Sequence, residues 1–504
     1  MKSKTNYLPN KPPHALHPMK TQVIHSRAQD TAMNRLLAVL ILMLHAAMLP
    51  AHAAPPVERI EVDFSREVGR IKAIHGVNGG PVSNGENPDL SGWFKEAGFA
   101  TVRTHDCHWP CPDVIDIHTI FPLDHLDPED PKNYTFAKTD AYIAGILKTG
   151  AKVVFRLGES IETKGTRYHI NPPKDMDKFA RVCVNVMRHY NEGWANGRRY
   201  NIEYWEIWNE PDNRSMWTGT MEEYFTLYET VARAIKSHNP KMKVGGPALA
   251  GDLTKKGWAL PFLALCRDRK LPLDFFSFHG YTVDVVQRSR EARKLLDEYG
   301  FAKTEAHLNE FRYTKTWQGL RPGDPEKYVH VPAWFEDGTG GIAAAHAIAV
   351  LIELQDVVDM TNYYTADTSP WSMFGQFGIR RPVFYAYKAF NELATRPRKA
   401  TVSVQINGGT PSRVLAGIAE DNQSAAVLLS TRNSHAGMRA IKLAGVPWSG
   451  ETHVEALLVD DTHALTKTPA SVDSGAKSIT VDLPPHVVCL IRLSKATAPN
   501  SQGK

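Results

Sequence analysis

Short apolar segments alternate with amphipathic segments through the middle of the chain. Eight segments are rich in Val, Ile and aromatic residues, as buried parallel strands are. They are Ile71–Asn78, Phe99–His105, Lys152–Glu159, Glu203–Pro211, Met242–Ala248, Asp274–Tyr281, Ala306–Tyr313 and Val357–Asp367. Amphipathic helices are predicted between them, for example at Met176–His189, Met221–Ser237 and Gly341–Leu354. Eight strand–helix units predict an α/β protein with a (β/α)8 TIM barrel over residues 71–394. An open doubly wound sheet also alternates strands and helices, but it normally carries a Gly-rich phosphate turn after an early strand, which this sequence lacks.

The pattern changes to a period of two from about residue 395. Segments such as TVSVQI, SAAVLLSTR and VVCLIRL alternate apolar and polar positions between turn residues. This alternation predicts a C-terminal antiparallel β-sandwich over residues 395–496, followed by a flexible tail at 497–504. Val57–Phe64 has the same period, so we expect residues 54–70 to contribute an N-terminal edge strand to the sandwich.

The first 53 residues have the features of an N-terminal extension and a signal peptide. Leu36–Leu49 is continuously apolar apart from one histidine, with Arg35 before it and the A-x-A sequence Ala51-His52-Ala53 after it. The apolar run is shorter than the roughly 20 residues that span a bilayer comfortably. We therefore expect cleavage near Ala54 and a secreted or periplasmic protein that leaves the membrane. An uncleaved membrane anchor is the alternative, and Met33 is a more natural start than Met1.

Composition and charge exclude several classes of protein. The 504 residues are 42% hydrophobic and 22% charged, which is ordinary for a globular protein. The net charge of +5 comes from six basic residues and one acid in the first 53 positions, and the remainder holds 53 of each sign. A neutral body has no electrostatic reason to bind nucleic acid or an acidic membrane. The sequence does not indicate an oligomeric state.

Five cysteines are too few for a disulfide scaffold in a chain of this length. Cys107 and Cys111 lie close together in HDCHWPCPD, and they can pair in an oxidising compartment. A zinc site that includes the interleaved His105, Asp106 and His108 is the alternative, but the sequence has no second Cys/His cluster with ligand spacing. We therefore expect neither a metal nor a cofactor.

Two glutamates end predicted barrel strands that face each other. Glu210 ends the fourth strand in Trp208-Asn209-Glu210-Pro211-Asp212, and Glu310 ends the seventh in Leu308-Asn309-Glu310-Phe311-Arg312. Catalytic groups of TIM barrels lie at the C-terminal strand ends. Nearby carboxylates fit less well, because Glu203 and Glu206 fall early or midway in the fourth strand and Glu305 precedes the core of the seventh.

A pair of facing carboxylates is the minimum set for hydrolysing a glycosidic bond. One protonates the departing oxygen, and the other attacks the anomeric carbon or activates water. A structural alternative exists for Glu210, since a Glu-Pro sequence also occurs where a loop leads into a helix. The matching glutamate in the seventh strand favours catalysis over that alternative.

Three segments, EIWNEPD, SFHGY and VRTH, together resemble the retaining glycosidases of family 39 in clan A, which holds β-xylosidases and α-L-iduronidases. The resemblance covers most of the chain and implies that Glu210 is the acid/base and Glu310 the nucleophile. It implies further that Asn209 binds the sugar 2-hydroxyl and that Arg103 keeps the nucleophile ionised. Other positions that match the sugar-binding subsite of the family are His105, His279 and Tyr281.

The resemblance implies a secreted, exo-acting, retaining glycosidase that acts on a terminal β-xyloside or a related glycoside without a cofactor. The seventh strand reads NEF rather than the TEW-like form of the xylosidases, which leaves the sugar open. Two alternatives remain. One is an endo-acting polysaccharide hydrolase with the same catalytic pair, and the other is a non-catalytic carbohydrate-binding barrel.

Overall fold

A computed structural model describes residues 57–81, 88–107, 111–162, 165–254, 257–315, 335–369, 372–473 and 477–496. The predicted signal segment at 1–53 and the predicted tail at 497–504 lie outside these residues. Statements below that something is absent apply to the described residues.

Eight parallel strands close into a barrel, which confirms the predicted (β/α)8 fold. Their order around the barrel follows their order in the chain, and the last pairs with the first. The strands are β2 (His75–Asn78), β3 (Thr101–Thr104), β4 (Lys152–Leu157), β5 (Tyr204–Ile207), β6 (Lys243–Leu249), β7 (Phe275–Gly280), β8 (Glu305–Phe311) and β9 (Met360–Tyr363).

Helices surround the barrel and connect its strands. They are α1 (Ser91–Ala97), α2 (Ile117–Ile120), α3 (Ala137–Leu147), α4 (Met176–Asn191), α5 (Met221–His238), α6 (Ala259–Asp268), α7 (Val285–Glu298), α8 (Gly341–Glu353) and α9 (Pro382–Ala394). Short 3-10 turns occur at Pro131–Asn133, Trp194–Asn196 and Gln376–Gly378. The start of α5 illustrates how local sequence sets a boundary. Thr220 accepts a hydrogen bond from the backbone of Glu223, whose side chain bonds back to the Thr220 backbone.

The remaining strands form one continuous ten-stranded sheet, in the order β15-β14-β18-β12-β11-β10-β1-β13-β17-β16. Its members are β1 (Glu58–Arg70), β10 (Arg398–Gln405), β11 (Arg413–Ile418), β12 (Ser424–Ser430), β13 (Gly437–Ala444), β14 (Thr452–Val459), β15 (Ala464–Lys467), β16 (Ser471–Val472), β17 (Ser478–Leu483) and β18 (Val488–Lys495). The sheet curls so that strands from both halves share one apolar core. All neighbours are antiparallel except β1 and β13.

The strand predicted as an edge lies inside the sheet instead. β1 hydrogen-bonds to β10 on one side and to β13 on the other. Its alternate residues Ile60, Val62 and Phe64 are buried in the sheet core. The alternation correctly predicts which face of β1 is buried, but it carries no information about how many neighbours the strand has.

Two helices separate the barrel core from the curled sheet. α8 is buried almost all round, and residues of α8 and α9 belong to the same apolar cluster as Leu428, Leu457 and Leu490 of the sheet. A helix that is apolar on all faces is expected where it is covered on all sides. In the described part of the chain, none of the helices combines the length and apolar character needed to cross a bilayer.

Candidate active site

The backbone takes unusual conformations where β5 ends. Trp208 and Glu210 have positive φ angles of 73° and 43°, and both are held by neighbouring strands. The Trp208 backbone N–H donates to the carbonyl of Leu157 (2.7 Å), and that of Glu210 donates to the carbonyl of Ala248 (3.1 Å). Non-glycine residues in the left-handed region cost free energy and concentrate at functional sites.

The structure brings Glu210 and Glu310 together at the C-terminal end of the barrel. One oxygen of each carboxylate and Nδ1 of His279 lie within 4.8 Å of one another. The Glu210 side chain is 13% exposed and that of Glu310 is 5% exposed. Both carboxylates can therefore reach a single bond of a ligand that enters from the barrel mouth.

Glu310 is held by donors from two other strands. The Arg103 guanidinium on β3 donates from Nη1 to Glu310 Oε1 (2.7 Å), and the Tyr281 hydroxyl after β7 donates to Oε2. Nε2 of His105 lies 3.8 Å from Oε1, and Nδ1 of His279 lies 3.3 Å from Oε2. Four residues from β3 and β7 thus surround the carboxylate that the sequence predicts to be the nucleophile.

Arg103 connects Glu310 to a buried polar layer inside the barrel. Its Nε donates to Glu206 (2.6 Å), Nη1 also donates to Asn78 (3.1 Å), and Nη2 donates to Asn209 (2.5 Å). Because Arg103 occupies Oδ1 of Asn209, the Asn209 amide group is the part oriented to donate. An amide N–H donor in this place fits the predicted contact to a sugar hydroxyl.

The charge on Arg103 is secured by its carboxylate neighbours. Burial of Arg103 acts against the charged form, but the carboxylates of Glu206 and Glu310 outweigh burial and raise the pKa of the guanidinium. The arginine is therefore a fixed cation in direct contact with Glu310.

Glu210 lies in a different electrostatic environment. Burial is the main cause that raises the pKa of the Glu210 carboxyl, and the charge of Asp106 adds to the increase. The hydrogen bond from Asn213 (2.8 Å) and the charges of His105 and Arg103 act in the opposite direction without cancelling it. A carboxyl that keeps its proton to higher pH is suited to donate that proton to a leaving group.

His279 lies between the two carboxylates. Its Nδ1 shares a hydrogen bond of 2.6 Å with Glu210 Oε1, while burial lowers the pKa of its imidazole to about 3. The ring is therefore neutral at ordinary pH. The sequence predicts His279 as a wall of the sugar subsite, and the structure adds direct contact with the predicted acid/base.

His105 and its neighbour Asp106 extend the site along the loop after β3. Nε2 of His105 is 3.3 Å from Asp106 Oδ2, which also accepts a hydrogen bond from the Tyr364 hydroxyl (3.2 Å). Burial acts to raise the pKa of Asp106, but His105 and Arg156 outweigh it and the pKa is lowered. Asp106 is thus a stable anion near Glu210.

The cysteines of the same loop are free thiols. Cys107 is buried and Cys111 is partly buried, and burial raises the pKa of the Cys111 thiol to about 11. The disulfide alternative is therefore not formed in this structure. His108, which the zinc alternative includes, lies outside the described residues.

Among the described residues, two groups each bring three potential metal ligands within 4.8 Å of one another. One group is the Glu210–His279–Glu310 set, and the other is Asp116, His118 and Glu159. In the second group, Asp116 accepts hydrogen bonds from Arg156 and Ser160, and His118 is hydrogen-bonded to Glu159. The Arg156 cation and these hydrogen bonds already satisfy the second group, so a divalent cation fits it poorly.

Two other glutamates that the sequence offers as catalytic candidates, Glu203 and Glu305, lie away from this site. Glu305 begins β8 and pairs with Lys243 at the start of β6 (2.6 Å), and Lys243 also contacts Glu203 (2.9 Å). These residues are at the N-terminal end of the barrel strands, opposite Glu210 and Glu310.

Sequence reasoning missed much of the polar layer beneath the site. It did not find Asn78, Asn213, Asn309 or Tyr364, and it set Glu206 aside as a catalytic candidate. One signal was available, because Asn309-Glu310 repeats the pair Asn209-Glu210. A second signal was the period-two alternation of β5, which places Tyr204 and Glu206 on the same side of the strand. Tyr204 lies in a small apolar cluster with residues of other barrel strands, so Glu206 also points into the barrel.

A closed parallel barrel with two carboxylates facing one point at its mouth is an arrangement that can hydrolyse a glycosidic bond. Comparison with known sequences finds similar proteins with that activity. Residues 87–316 match the family described as Glycosyl hydrolases family 39. The comparisons confirm the resemblance to family 39 that the sequence motifs indicate.

Individual relatives are similar over part of their length. The chain is 31% identical to a β-xylosidase from Geobacillus stearothermophilus over 59% of this chain and 63% of that protein. It is 32% identical to a β-xylosidase from Caldicellulosiruptor saccharolyticus over 52% of this chain and 57% of that protein. The match therefore spans less than two thirds of either relative. The crystal structure of a glucosidase from Croceicoccus marinus has the same fold, with a TM-score of 0.74, 24% identity and coverage of 88% of this chain and 100% of that one.

Proposed function

We propose that this protein is a retaining glycoside hydrolase that removes a terminal β-xylosyl or related residue by double displacement. The observation that carries the proposal is the separation of Glu210 and Glu310, whose nearest oxygens and His279 Nδ1 fall within 4.8 Å. Retaining enzymes place their carboxyl groups about 5–5.5 Å apart, whereas inverting enzymes need about 6.5–9.5 Å to admit a water molecule.

In the first displacement, a Glu310 oxygen attacks the anomeric carbon and the bond from that carbon to the leaving oxygen breaks. Glu210 transfers its proton to the leaving oxygen and becomes a carboxylate. Arg103 and Tyr281 fix the orientation of Glu310, so that the attack starts from one defined geometry. The product is a glycosyl ester on Glu310.

In the second displacement, water attacks the anomeric carbon and the ester bond to Glu310 breaks. The Glu210 carboxylate takes a proton from that water and returns to its acid form. Two inversions restore the original configuration. The raised pKa of Glu210 suits both steps, because the same group must release a proton and then recover it.

Support for a xyloside comes from two β-xylosidases of about 31% and 32% identity. The test is a panel of aryl β-xylosides, β-glucosides, β-galactosides and α-arabinosides, followed by NMR of the first sugar anomer released. We expect the xyloside to be hydrolysed fastest, with retained configuration. Single residues released from an oligosaccharide support exo action, whereas internal cleavage indicates the endo-acting alternative.

A variant pair tests the catalytic assignment. Glu310→Ala removes the attacking oxygen, so we expect turnover to fall by at least about 10⁴-fold in a protein that still folds. Glu305→Gln is the control, because Glu305 lies in the same strand at the opposite barrel end. Hydrolysis by Glu310→Ala at the wild-type rate would show the assignment to be wrong and would favour a binding protein or another nucleophile.

We also propose that the chain is exported. The basis is the basic start, the apolar run Leu36–Leu49 and the Ala51-His52-Ala53 sequence. N-terminal sequencing of the protein recovered outside the cytoplasm should give a start near Ala54. Recovery of a membrane-bound chain that retains Leu36–Leu49 would support the uncleaved anchor instead.

A further inference from the structure

Glu206 is a third carboxylate inside the barrel, below the facing pair. It lies in β5, four residues before Glu210, and its side chain is 0% exposed. One oxygen accepts the hydrogen bond from Arg103 Nε (2.6 Å), and the other accepts from the amide of Asn309. Asn309 immediately precedes Glu310 and Arg103 donates to Glu310, so both hydrogen-bond partners of Glu206 adjoin the predicted nucleophile.

The contacts of Arg103 divide its charge between two carboxylates. Nε is directed to Glu206 (2.6 Å), while Nη1 is directed to Glu310 (2.7 Å). Because the guanidinium is planar, fixing Nε on Glu206 also fixes the directions of Nη1 and Nη2. Glu206 therefore sets the geometry with which Arg103 presents its N–H groups to Glu310 and Asn209.

The reaction changes the charge of only one of these two carboxylates. When Glu310 forms a glycosyl ester, its negative charge is lost, whereas Glu206 does not react. A buried arginine whose partner is removed becomes strongly unfavourable. With Glu206 in place, Arg103 keeps a buried carboxylate partner both before and after Glu310 has reacted.

We propose that Glu206 is a positioning residue that keeps Arg103 aligned and paired while Glu310 passes between carboxylate and glycosyl ester. The inference rests on the proposed double displacement. It gives a role in that reaction to a residue that does not touch the substrate. Because Arg103 also pairs with Glu206, only part of its positive charge acts on Glu310. We therefore expect Glu310 to be a more reactive nucleophile than it would be as the sole partner of Arg103.

Other charged and titratable groups also face Glu310, and they remain in the variant described below. They are Arg103 in β3, His105 just after β3, Glu210 after β5, His279 in β7 and Tyr281 just after β7. Removing the charge of Glu206 alone therefore changes how strongly Arg103 acts on Glu310, with these neighbours held constant.

The test is Glu206→Gln, which preserves the size of the side chain and removes its charge. We expect the acidic limb of the kcat/KM profile to move to lower pH, because the Arg103 charge then acts mainly on Glu310. We expect kcat to fall at least about tenfold with a smaller change in KM. Labelling of Glu310 by a 2-deoxy-2-fluoro-β-xyloside with a dinitrophenyl leaving group, followed by intact mass, should slow by a similar factor.

A matched control separates this effect from the loss of a buried ion pair. Glu58 pairs with Arg439 in the curled sheet at 2.9 Å, and both side chains are almost fully buried. Glu58→Gln should lower the melting temperature without altering the pH profile or the labelling rate. Glu206→Asp retains the charge on a shorter side chain, and it should slow labelling while leaving the acidic limb in place.

The outcomes are distinct. A folded Glu206→Gln protein with the wild-type profile and labelling rate overturns the inference. If that variant does not fold, labelling of Glu206→Asp at the wild-type rate overturns it instead. Failure of the wild-type protein to form any covalent adduct on Glu310 would refute the proposed function itself.

Discussion

Glu210 and Glu310 are chemically identical side chains that the fold places in different surroundings. Glu310 is in direct contact with the Arg103 cation (2.7 Å), whereas Glu210 shares a hydrogen bond with the neutral ring of His279 (2.6 Å). Burial and the charge of Asp106 then raise the pKa of Glu210. The proposed division between acid/base and nucleophile is thus explained by neighbours that are fixed to other strands.

The charge of Asp106 leads to a prediction about pH. Because Asp106 helps to raise the pKa of Glu210, Asp106→Asn should lower it, and Glu210 would lose its proton at lower pH. The basic limb of the kcat/KM profile should therefore move to lower pH, by roughly half a unit to one unit. Asp113→Asn, in the same loop region, should leave the profile unchanged. A shift of the basic limb to higher pH would contradict the electrostatic account.

The hydroxyl of Tyr281 leads to a second prediction. Tyr281→Phe removes one hydrogen bond to Glu310 and leaves the ring in place. A hydrogen bond to a charged group contributes about 1.5–3 kcal/mol, so kcat/KM should fall about ten- to hundredfold. Tyr228→Phe is the control, because its hydroxyl bonds to the carbonyl of Pro272, outside the site. Equal losses in both variants would indicate a general effect on stability, which thermal denaturation measures.

At the scale of elements, the end of β5 depends on close approach by β4. Gly158 follows β4 with φ at +147°, and a Cβ there would lie 2.8 Å from the Trp208 ring. Trp208 in turn leads into Asn209 and Glu210. A glycine is required at this position both for its backbone conformation and for space.

This contact predicts that Gly158→Ala reduces both activity and stability. The added methyl group should displace Trp208 and misplace Glu210, lowering kcat/KM at least about tenfold and destabilising the fold by about 1–3 kcal/mol. Gly92→Ala in α1 is the control, because nothing lies within 4 Å of its Cβ position. Kinetics and urea denaturation of both variants check the prediction, which fails if Gly158→Ala has wild-type kinetics.

The pattern of apolar positions was sufficient to predict most elements. The predicted helices at Met176, Met221 and Gly341 begin at the residues where α4, α5 and α8 begin. Barrel strands were found because buried parallel strands are continuous apolar segments. The strands β15 and β16 were missed, since they have four and two residues and are largely exposed.

Contacts between distant elements were less accessible from the sequence. Alternation shows that one face of each C-terminal strand is buried, but it does not distinguish two packed sheets from a single curled one. Glu206 illustrates the same limit in the site. Its carboxylate accepts a hydrogen bond from Arg103, which lies 103 residues earlier in the sequence, and no local sequence pattern predicts that contact.

At the scale of the whole molecule, the barrel and the curled sheet are joined through α8 and α9. The Ser430 hydroxyl in β12 donates to the carbonyl of Ala345 in α8 (2.6 Å). The Asp461 carboxylate accepts the backbone N–H of Gly341 (2.7 Å), which caps the start of α8. Arg492 of β18 makes two hydrogen bonds to Glu392 of α9, at 2.6 and 2.7 Å.

This junction predicts that the two parts unfold together. α8 has apolar residues on all faces, so a barrel without the sheet would expose one of those faces to water. β1 also precedes the barrel in the chain yet lies between β10 and β13, so the sheet is built from two segments that flank the barrel in the sequence. Differential scanning calorimetry of the protein should show one cooperative transition, and a chain ending at residue 396 should be insoluble or bind a hydrophobic dye. Two well-separated transitions, or a soluble and active truncated barrel, would show that the sheet is an independent domain and that α8 is stable without it.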